Sequence, residues 1–231
     1  MTRKVVVIGG TSGIGRAIAT GFLDAGDEVT VTGHEAVDDL PDGMAQAVLD
    51  VRDSAAVTDF FVPMDRLDVL VNCAGVIRRG GAEFTHDGFA DVVDINLNGS
   101  QRCCVAAHSA LKAASGCVIN TASMLTYFGS AVSPAYAASK GGIGQLTRSL
   151  ALAWAGDGIR VNALAPGWIA TPLTQALGED AERSATILGR TPMGRWGRPE
   201  DLVGPAMFLA SSAAGFVTGA ILPVDGGYAA A

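Results

Sequence analysis

The junction that most constrains the fold of this chain lies near its start. A β-branched run, Lys4 to Ile8 (KVVVI), breaks into GGTSGIG and continues as RAIATGFLDAG. Its apolar residues are consecutive rather than alternating, which suits a strand covered on both faces. The glycines at 9, 13 and 15 let the chain turn sharply, bring backbone N–H groups close to a pyrophosphate, and pack the next helix tightly on the strand. The junction therefore predicts a strand, a phosphate-binding turn and a helix. Gly9, Thr11, Ser12, Gly13, Ile14 and Gly15 are the candidate dinucleotide contacts.

The alternation of short apolar runs with helical stretches continues to the end of the chain. Further strands are predicted at Glu28 to Thr32, Ala45 to Leu49, Asp68 to Asn72, Gly116 to Asn120, Arg160 to Leu164 and Ala220 to Val224. Repetition of strand, helix, strand gives a doubly wound α/β sheet. The connection from Gly33 to Met44 contains Pro41 and Gly43 and is barely long enough for a parallel crossover, so no full helix is expected there. With 231 residues, 49% of them hydrophobic, the chain can bury one substantial core, and a single domain spanning 1–231 is expected. Residues 166–199 are rich in Gly, Pro and Arg and exceed an ordinary connection in length, which predicts a substrate lid.

A net charge of −7 disfavours a nucleic-acid surface, which needs clustered Lys and Arg to displace counterions. The four cysteines, Cys73, Cys103, Cys104 and Cys117, lack the paired spacing of a zinc site and read as reduced thiols. No metal is expected. Glycines interrupt the apolar N-terminal run before a signal-peptide core is reached, and no run approaches the roughly 18 apolar residues of a membrane span. A cytoplasmic protein without a membrane partner is the expectation.

The run SPAYAASKGG, Ser133 to Gly142, sets Tyr136 and Lys140 one helical turn apart among small side chains. Their Cβ atoms then lie about 6 Å apart on one face. An ammonium near a phenol favours phenolate and is expected to draw the phenol's pKa down from about 10. Such a tyrosine exchanges a proton with a carbonyl or alcohol oxygen while hydride moves at carbon. Ser123, just after the strand GCVIN, is placed to hold that oxygen at the carboxyl end of the sheet. Coenzyme choice is normally written at the end of the second strand, which here reads Thr32-Gly33-His34-Glu35. Neither a ribose-binding acid at Gly33 nor a neighbouring arginine is present, so NAD and NADP both stay open, with a lean towards NAD: Glu35 would repel a 2′-phosphate, while His34 would do the opposite weakly.

On these residues the chain resembles the classical short-chain dehydrogenase/reductase family over essentially its whole length. The resemblance rests on GGTSGIG, LDV (49–51), VNCAG (71–75), DINLNG (94–99), NTAS, YAASK, APGWIATP (165–172) and VDGG (224–227), in family order and spacing. It implies a Rossmann-type sheet of seven parallel strands, order 3-2-1-4-5-6-7, with helices on both faces. It implies a catalytic tetrad of Asn96, Ser123, Tyr136 and Lys140, Asn96 holding a water in the proton relay. Lys140 would also bind the nicotinamide ribose beside Tyr136. The remaining coenzyme contacts implied are Gly33 and His34, Asp50 and Val51 at adenine, Asn72, Ala74 and Gly75, and Pro166, Gly167, Ile169 and Thr171 near the carboxamide. A homotetramer is implied as well, with the helix from Ala135 to Ala155 as one interface. The chain departs from the family at Ile8, where threonine is common, and at Cys73, where a second asparagine is usual.

Within the family, GVIRRG (75–80), ASMLTYFG (122–129) and the stretch 182–212 are most similar to sugar-acid dehydrogenases of the 2-deoxy-D-gluconate 3-dehydrogenase and gluconate 5-dehydrogenase type. Guanidinium groups grip carboxylates through paired donors, so Arg78 and Arg79 after the fourth strand suggest a small anionic substrate. Arg183 on the lid, Met124 and Trp168 complete the candidate substrate contacts, with Arg190 as a second lid arginine. The alternative is a 3-ketoacyl carrier-protein reductase or another carbonyl reductase. A dinucleotide sensor without turnover is disfavoured by the intact Tyr136 and Lys140.

Overall fold

The computed structural model describes residues 2–230. Seven strands form one parallel sheet in the order β3-β2-β1-β4-β5-β6-β7. They are β1 (Lys4–Ile8), β2 (Glu28–Gly33), β3 (Ala45–Val48), β4 (Val69–Asn72), β5 (Cys117–Thr121), β6 (Arg160–Pro166) and β7 (Ile221–Val224). The helices are α1 (Gly13–Asp24), α2 (Ser54–Phe61), α3 (His86–Val93), α4 (Gly99–Ala114), α5 (Pro134–Trp154), α6 (Gln175–Gly178), α7 (Ala181–Gly189) and α8 (Val203–Ala210). No helix fills the connection from β2 to β3.

Alternation along β1 divides the core between two faces of the sheet. Val6 and Ile8 pack with Val57 and Phe61 of α2, Cys103, Cys104, Ala107 and Leu111 of α4, and Ala151 of α5. Val5 and Val7 pack with Ile18, Ala19 and Phe22 of α1 and with Ala206 and Leu209 of α8. Phe22, Ile18 and Leu111 are fully buried, and each such side chain contributes about 1.5–3 kcal/mol relative to exposure. Both faces of β1 are thus dry, as its unbroken apolar run predicts.

The strands differ from the sequence reading mainly at their ends. β2 extends through Gly33, which pairs with Val48. β6 extends through Pro166, which pairs with Val224. The four cysteines are unpaired. Among the described residues no helix is long and apolar enough to cross a membrane.

Candidate active site

Parallel strands deliver their connections to one edge of the sheet, and a cavity of about 520 Å3 lies there. The turn after β1 forms one end of it. The glycine at 9 adopts φ +74°, and a Cβ at Gly15 would stand 2.2 Å from the Gly9 carbonyl oxygen, so no side chain fits between turn and helix. Ser12 precedes α1 without a side-chain capping bond, so the first-turn N–H groups keep their capacity for an anion. A Cβ on Gly13 would meet nothing nearer than Thr171 at 3.6 Å. A bare helix N-terminus floored by glycine fits a dinucleotide's pyrophosphate. Lys140, His34, Asp50, Val51, Ala74, Gly75, Pro166, Gly167, Ile169 and Thr171 line the rest of that cavity with Thr11, Ile14 and Gly33.

Position 33 is sterically closed. A Cβ there would lie 2.6 Å from the Thr11 hydroxyl. His34 and Glu35 are exposed, with the imidazole 3.7 Å from the carboxylate. Asp50 is drawn below the usual carboxylate range by its hydrogen bonds from Arg52.

Asn72 stands apart from the wall. It is buried and donates to Asn120 at 2.9 Å, while Asn120 donates to Thr147 at 3.0 Å, tying β4 to β5 and α5 beneath the cavity.

Ser123, Tyr136 and Lys140 meet at the other end. Ser123 caps the short turn Met124–Thr126, accepting from the Leu125 N–H at 3.2 Å. The Thr126 hydroxyl donates to the Lys140 carbonyl at 2.8 Å, which pins that turn to α5. Lys140 donates from Nζ to the Thr121 carbonyl at 2.6 Å, and the same amine lies 5.6 Å from the centre of the Tyr136 ring. Burial pushes the ammonium down to about 8.

The phenol behaves otherwise than its spacing suggests. Burial raises the Tyr136 pKa, the Ser123 hydroxyl hydrogen-bonded to it opposes that, and the charge of Glu83 adds to the rise. The amine faces the ring and the Thr121 carbonyl, so it does not offset burial. The phenol in the isolated chain is therefore the neutral acid.

Asn96 sits in a π-helical turn, Asp94–Asn98, between α3 and α4. Such single turns recur at functional sites. Its amide accepts from the Val76 N–H at 2.8 Å and donates to the Val76 carbonyl and to Ser139, at 3.0 and 3.1 Å. A Cβ on Gly75 would fall 3.4 Å from Asn96 Oδ1 and 3.7 Å from Lys140 Nζ. Asn96 thus lies within the same cluster, buried behind the cavity wall.

The candidate substrate arginines are occupied. Arg78 lines the cavity, yet its guanidinium grips Asp91 of α3 at 2.7 and 2.8 Å. Arg79 donates to the Leu173 carbonyl at 2.7 Å. Arg183 pairs with Asp180 one turn away and is exposed. The Arg190 side chain makes no hydrogen bond or ion pair with a described residue, and its guanidinium stacks 4.4 Å from the centre of the Tyr228 ring. Tyr228 also meets Phe128 and Trp168, at 6.1 and 6.4 Å. Trp168 lines a second, adjoining cavity of about 350 Å3, and its buried indole N–H has no hydrogen-bond partner among the described residues. Met124 is buried under the Ser123 turn.

Glu83, absent from the sequence reading, is 1% exposed and accepts from the backbone N–H of Tyr136 and of Arg78, both at 2.9 Å. An acid following two glycines reads as a solvated loop residue, and nothing local betrays its burial.

A seven-stranded doubly wound sheet carrying a glycine turn at β1 and a Ser, Tyr, Lys cluster past β5 defines a nicotinamide-dependent oxidoreductase. The family described as enoyl-(acyl carrier protein) reductase matches residues 9–229, and the chain belongs to the short-chain dehydrogenase/reductase family, NAD(P)-dependent enzymes acting on CH–OH groups. It is 45% identical to the 2-dehydro-3-deoxy-D-gluconate 5-dehydrogenase of Pseudoalteromonas atlantica, over 98% of this chain and 95% of that relative. It is 36% identical to the gluconate 5-dehydrogenase of Gluconobacter oxydans, over 97% and 93%. Among solved structures, the gluconate 5-dehydrogenase of Burkholderia cenocepacia J2315, in complex with NADP and tartrate, superposes with a TM-score of 0.92 at 33% identity, covering 99% and 96% of the two chains. An Agrobacterium tumefaciens protein named as a candidate 2-deoxy-D-gluconate 3-dehydrogenase, with bound NADP, gives 0.94 at 42%, covering 99% and 97%.

Proposed function

We propose that this enzyme interconverts a secondary alcohol and a ketone on a sugar acid or a 3-deoxy-2-keto sugar acid, with Ser123, Tyr136 and Lys140 as its catalytic residues and Asn96 behind them. The observation that carries the assignment is the meeting of these side chains at one end of a cavity whose other end is a bare helix N-terminus. When bound, the nicotinamide dinucleotide supplies the hydride or accepts it. The glycine turn would hold its pyrophosphate, Asp50 and Val51 would border the adenine, and Lys140 with Tyr136 would hold the ribose next to the reacting ring. The NADP bound in three structural relatives supports NADP, against the lean towards NAD that Glu35 suggests.

The protein's own part is proton transfer and placement. Ser123 donates a hydrogen bond to the substrate oxygen and fixes it beside the phenol. Tyr136, neutral in the isolated chain, gives its proton to a ketone oxygen in reduction and as phenolate removes a hydroxyl proton in oxidation. Lys140 holds its ammonium over the ring, and Asn96 keeps the path from the amine to solvent. Residues 166–199, which include α6 and α7, close over the substrate as a lid.

For the acid end of the substrate, Arg78 lines the cavity but must first release Asp91, whereas Arg190, outside the cavity lining, is paired with no acid and would have to swing in with the lid. The sugar-acid names of the relatives, and tartrate beside NADP in one of them, support an anionic substrate. Exposed Val105 on α4 and Leu152 on α5 support homotetrameric assembly, and four unpaired thiols suit the cytoplasm.

Tyr136→Phe is expected to keep coenzyme binding to within about 10-fold, the loss of one ribose hydrogen bond, read by fluorescence titration, and to lose about 100-fold or more in turnover. Retained turnover removes Tyr136 from this role. Nicotinamide absorbance with NAD and NADP, followed against aldonic acids, 3-deoxy-2-keto acids, neutral polyols and ketoacyl thioesters, tests the substrate class; preference for thioesters would favour the carrier-protein reductase reading.

A further inference from the structure

Helix α5 begins with four backbone positions, Ser133 to Tyr136, whose N–H groups its own turns cannot satisfy. Pro134 has no N–H to offer, Ser133 makes no side-chain capping bond, and the first turn contains no acid. The missing acceptor arrives from elsewhere in the chain. Gly80 and Gly81, at φ +67° and +82°, turn the loop after β4 back on itself and lead into the short helical turn Ala82–Phe84. Glu83 points inward from that turn. One of its oxygens takes the N–H of Tyr136, 53 positions away, and the other takes the N–H of Arg78.

This carboxylate is built into the site. It is 1% exposed, both oxygens are engaged, and it forms no ion pair with a described residue. A charge in that setting is stabilised by amide dipoles alone, those at a helix N-terminus among them. The two amides it joins belong to different walls, the helix bearing the phenol and the loop bearing Arg78. Other charged groups on elements packed around Tyr136 are committed elsewhere or face other atoms. Lys140 of α5 lies over the ring and on the Thr121 carbonyl. Asp91 of α3 holds Arg78 and Arg52, and Asp94 of the π turn holds Arg102. His86 and Asp87 open α3 on its exposed side.

We infer that Glu83 is a positioning residue of the active centre: one carboxylate oxygen fixes the first turn of α5, and with it Tyr136, and the other fixes the cavity wall at Arg78. This rests on the assignment of Tyr136 as the proton-transfer group. The negative charge has a second effect, since it opposes ionisation of the phenol in front of it.

Glu83→Gln is nearly isosteric, yet it can accept only one of the two amides and turns an NH2 donor towards the other. Turnover is expected to fall about 10- to 100-fold, the range lost with one charge-assisted hydrogen bond near reacting atoms. Coenzyme affinity should not change. The limb of the pH–rate profile that reports the phenol should move to lower pH, because the opposing charge is gone. Glu83→Asp keeps the charge but is too short to reach both amides, so turnover should fall while the limb stays in place; it also serves if Glu83→Gln does not fold. A wild-type turnover and an unmoved limb in folded Glu83→Gln would overturn the inference, as would a loss of thermal stability with turnover per folded enzyme intact. Tyr136→Phe run beside these separates the two readings: if it is active, the tyrosine assignment fails; if it is inactive while Glu83→Gln behaves as wild type, only the role of Glu83 fails.

Discussion

Lys140 carries its positive charge at 4% exposure, with one carbonyl oxygen as its hydrogen-bond acceptor. Burial brings its pKa from 10.5 to about 8. The unfolded chain, whose lysine titrates near the ordinary value, therefore binds more protons than the folded one between these two pH values. Stability contributed by this group must rise as pH climbs through that window. Each pKa unit corresponds to about 1.4 kcal/mol, so the buried charge costs the folded state about 3 kcal/mol at pH 7 and about 1 kcal/mol at pH 10. Lys140→Met removes the titration. Equilibrium urea unfolding of both proteins at pH 7 and pH 10 should show the wild type gaining about 2 kcal/mol on the variant across that interval. The difference between the two proteins cancels the carboxylates they share, and likewise the phenol, whose raised pKa acts in the opposite sense from about pH 10 upwards, where the unfolded phenol titrates. The absolute stability of the variant is not the readout, because the Thr121 carbonyl left without its donor costs about 1–3 kcal/mol of its own. Selective lysine 13Cε resonances should show one midpoint near 8 in the wild type that is absent from the variant. Parallel unfolding curves, or a midpoint near 10, would mean that the amine is hydrated or paired with an acid and would refute the account.

Gly15→Ala should abolish coenzyme binding by titration and lower stability by about 1–3 kcal/mol, since its Cβ would stand 2.2 Å from a backbone oxygen that cannot move alone. Arg190→Met should raise KM for a sugar acid about 10-fold or more while sparing a neutral polyol, and Arg78→Ala should affect both alike; the opposite pattern would place the carboxylate at Arg78. Because the phenol's pKa is raised by burial, oxidation should accelerate and reduction slow as pH rises, measured at saturating coenzyme; a common optimum in both directions would contradict a neutral Tyr136.

The sheet was legible because the apolar residues of β1, β4 and β5 are consecutive, and only strands dry on both faces need that. The Tyr136 and Lys140 pair was legible because helical spacing puts them on one face wherever the helix goes. Which way the lysine turns was not, since its amine is claimed by the Thr121 carbonyl, and a rotamer set by a carbonyl 19 positions away leaves no mark in spacing. The reversed direction of the phenol's shift follows from that turn and from burial. That Arg78 and Arg79 are engaged was hidden for a related reason: the groups that hold them, Asp91 and the Leu173 carbonyl, come from separate segments, 13 and 94 positions away. Glu83 was invisible because its burial depends on two left-handed glycines and on a helix end that closes over it only in the folded chain.

A side chain at position 33 would meet the Thr11 hydroxyl at 2.6 Å and the Glu35 carbonyl at 3.0 Å, so any substitution there is tied to its neighbours. An acid installed alone at 33 would collide with Thr11 before reaching any ribose. Trimming Thr11 alone would leave the Glu35 carbonyl in place, so room for a side chain at 33 also needs the turn after β2 to shift, a constraint of volume rather than of charge.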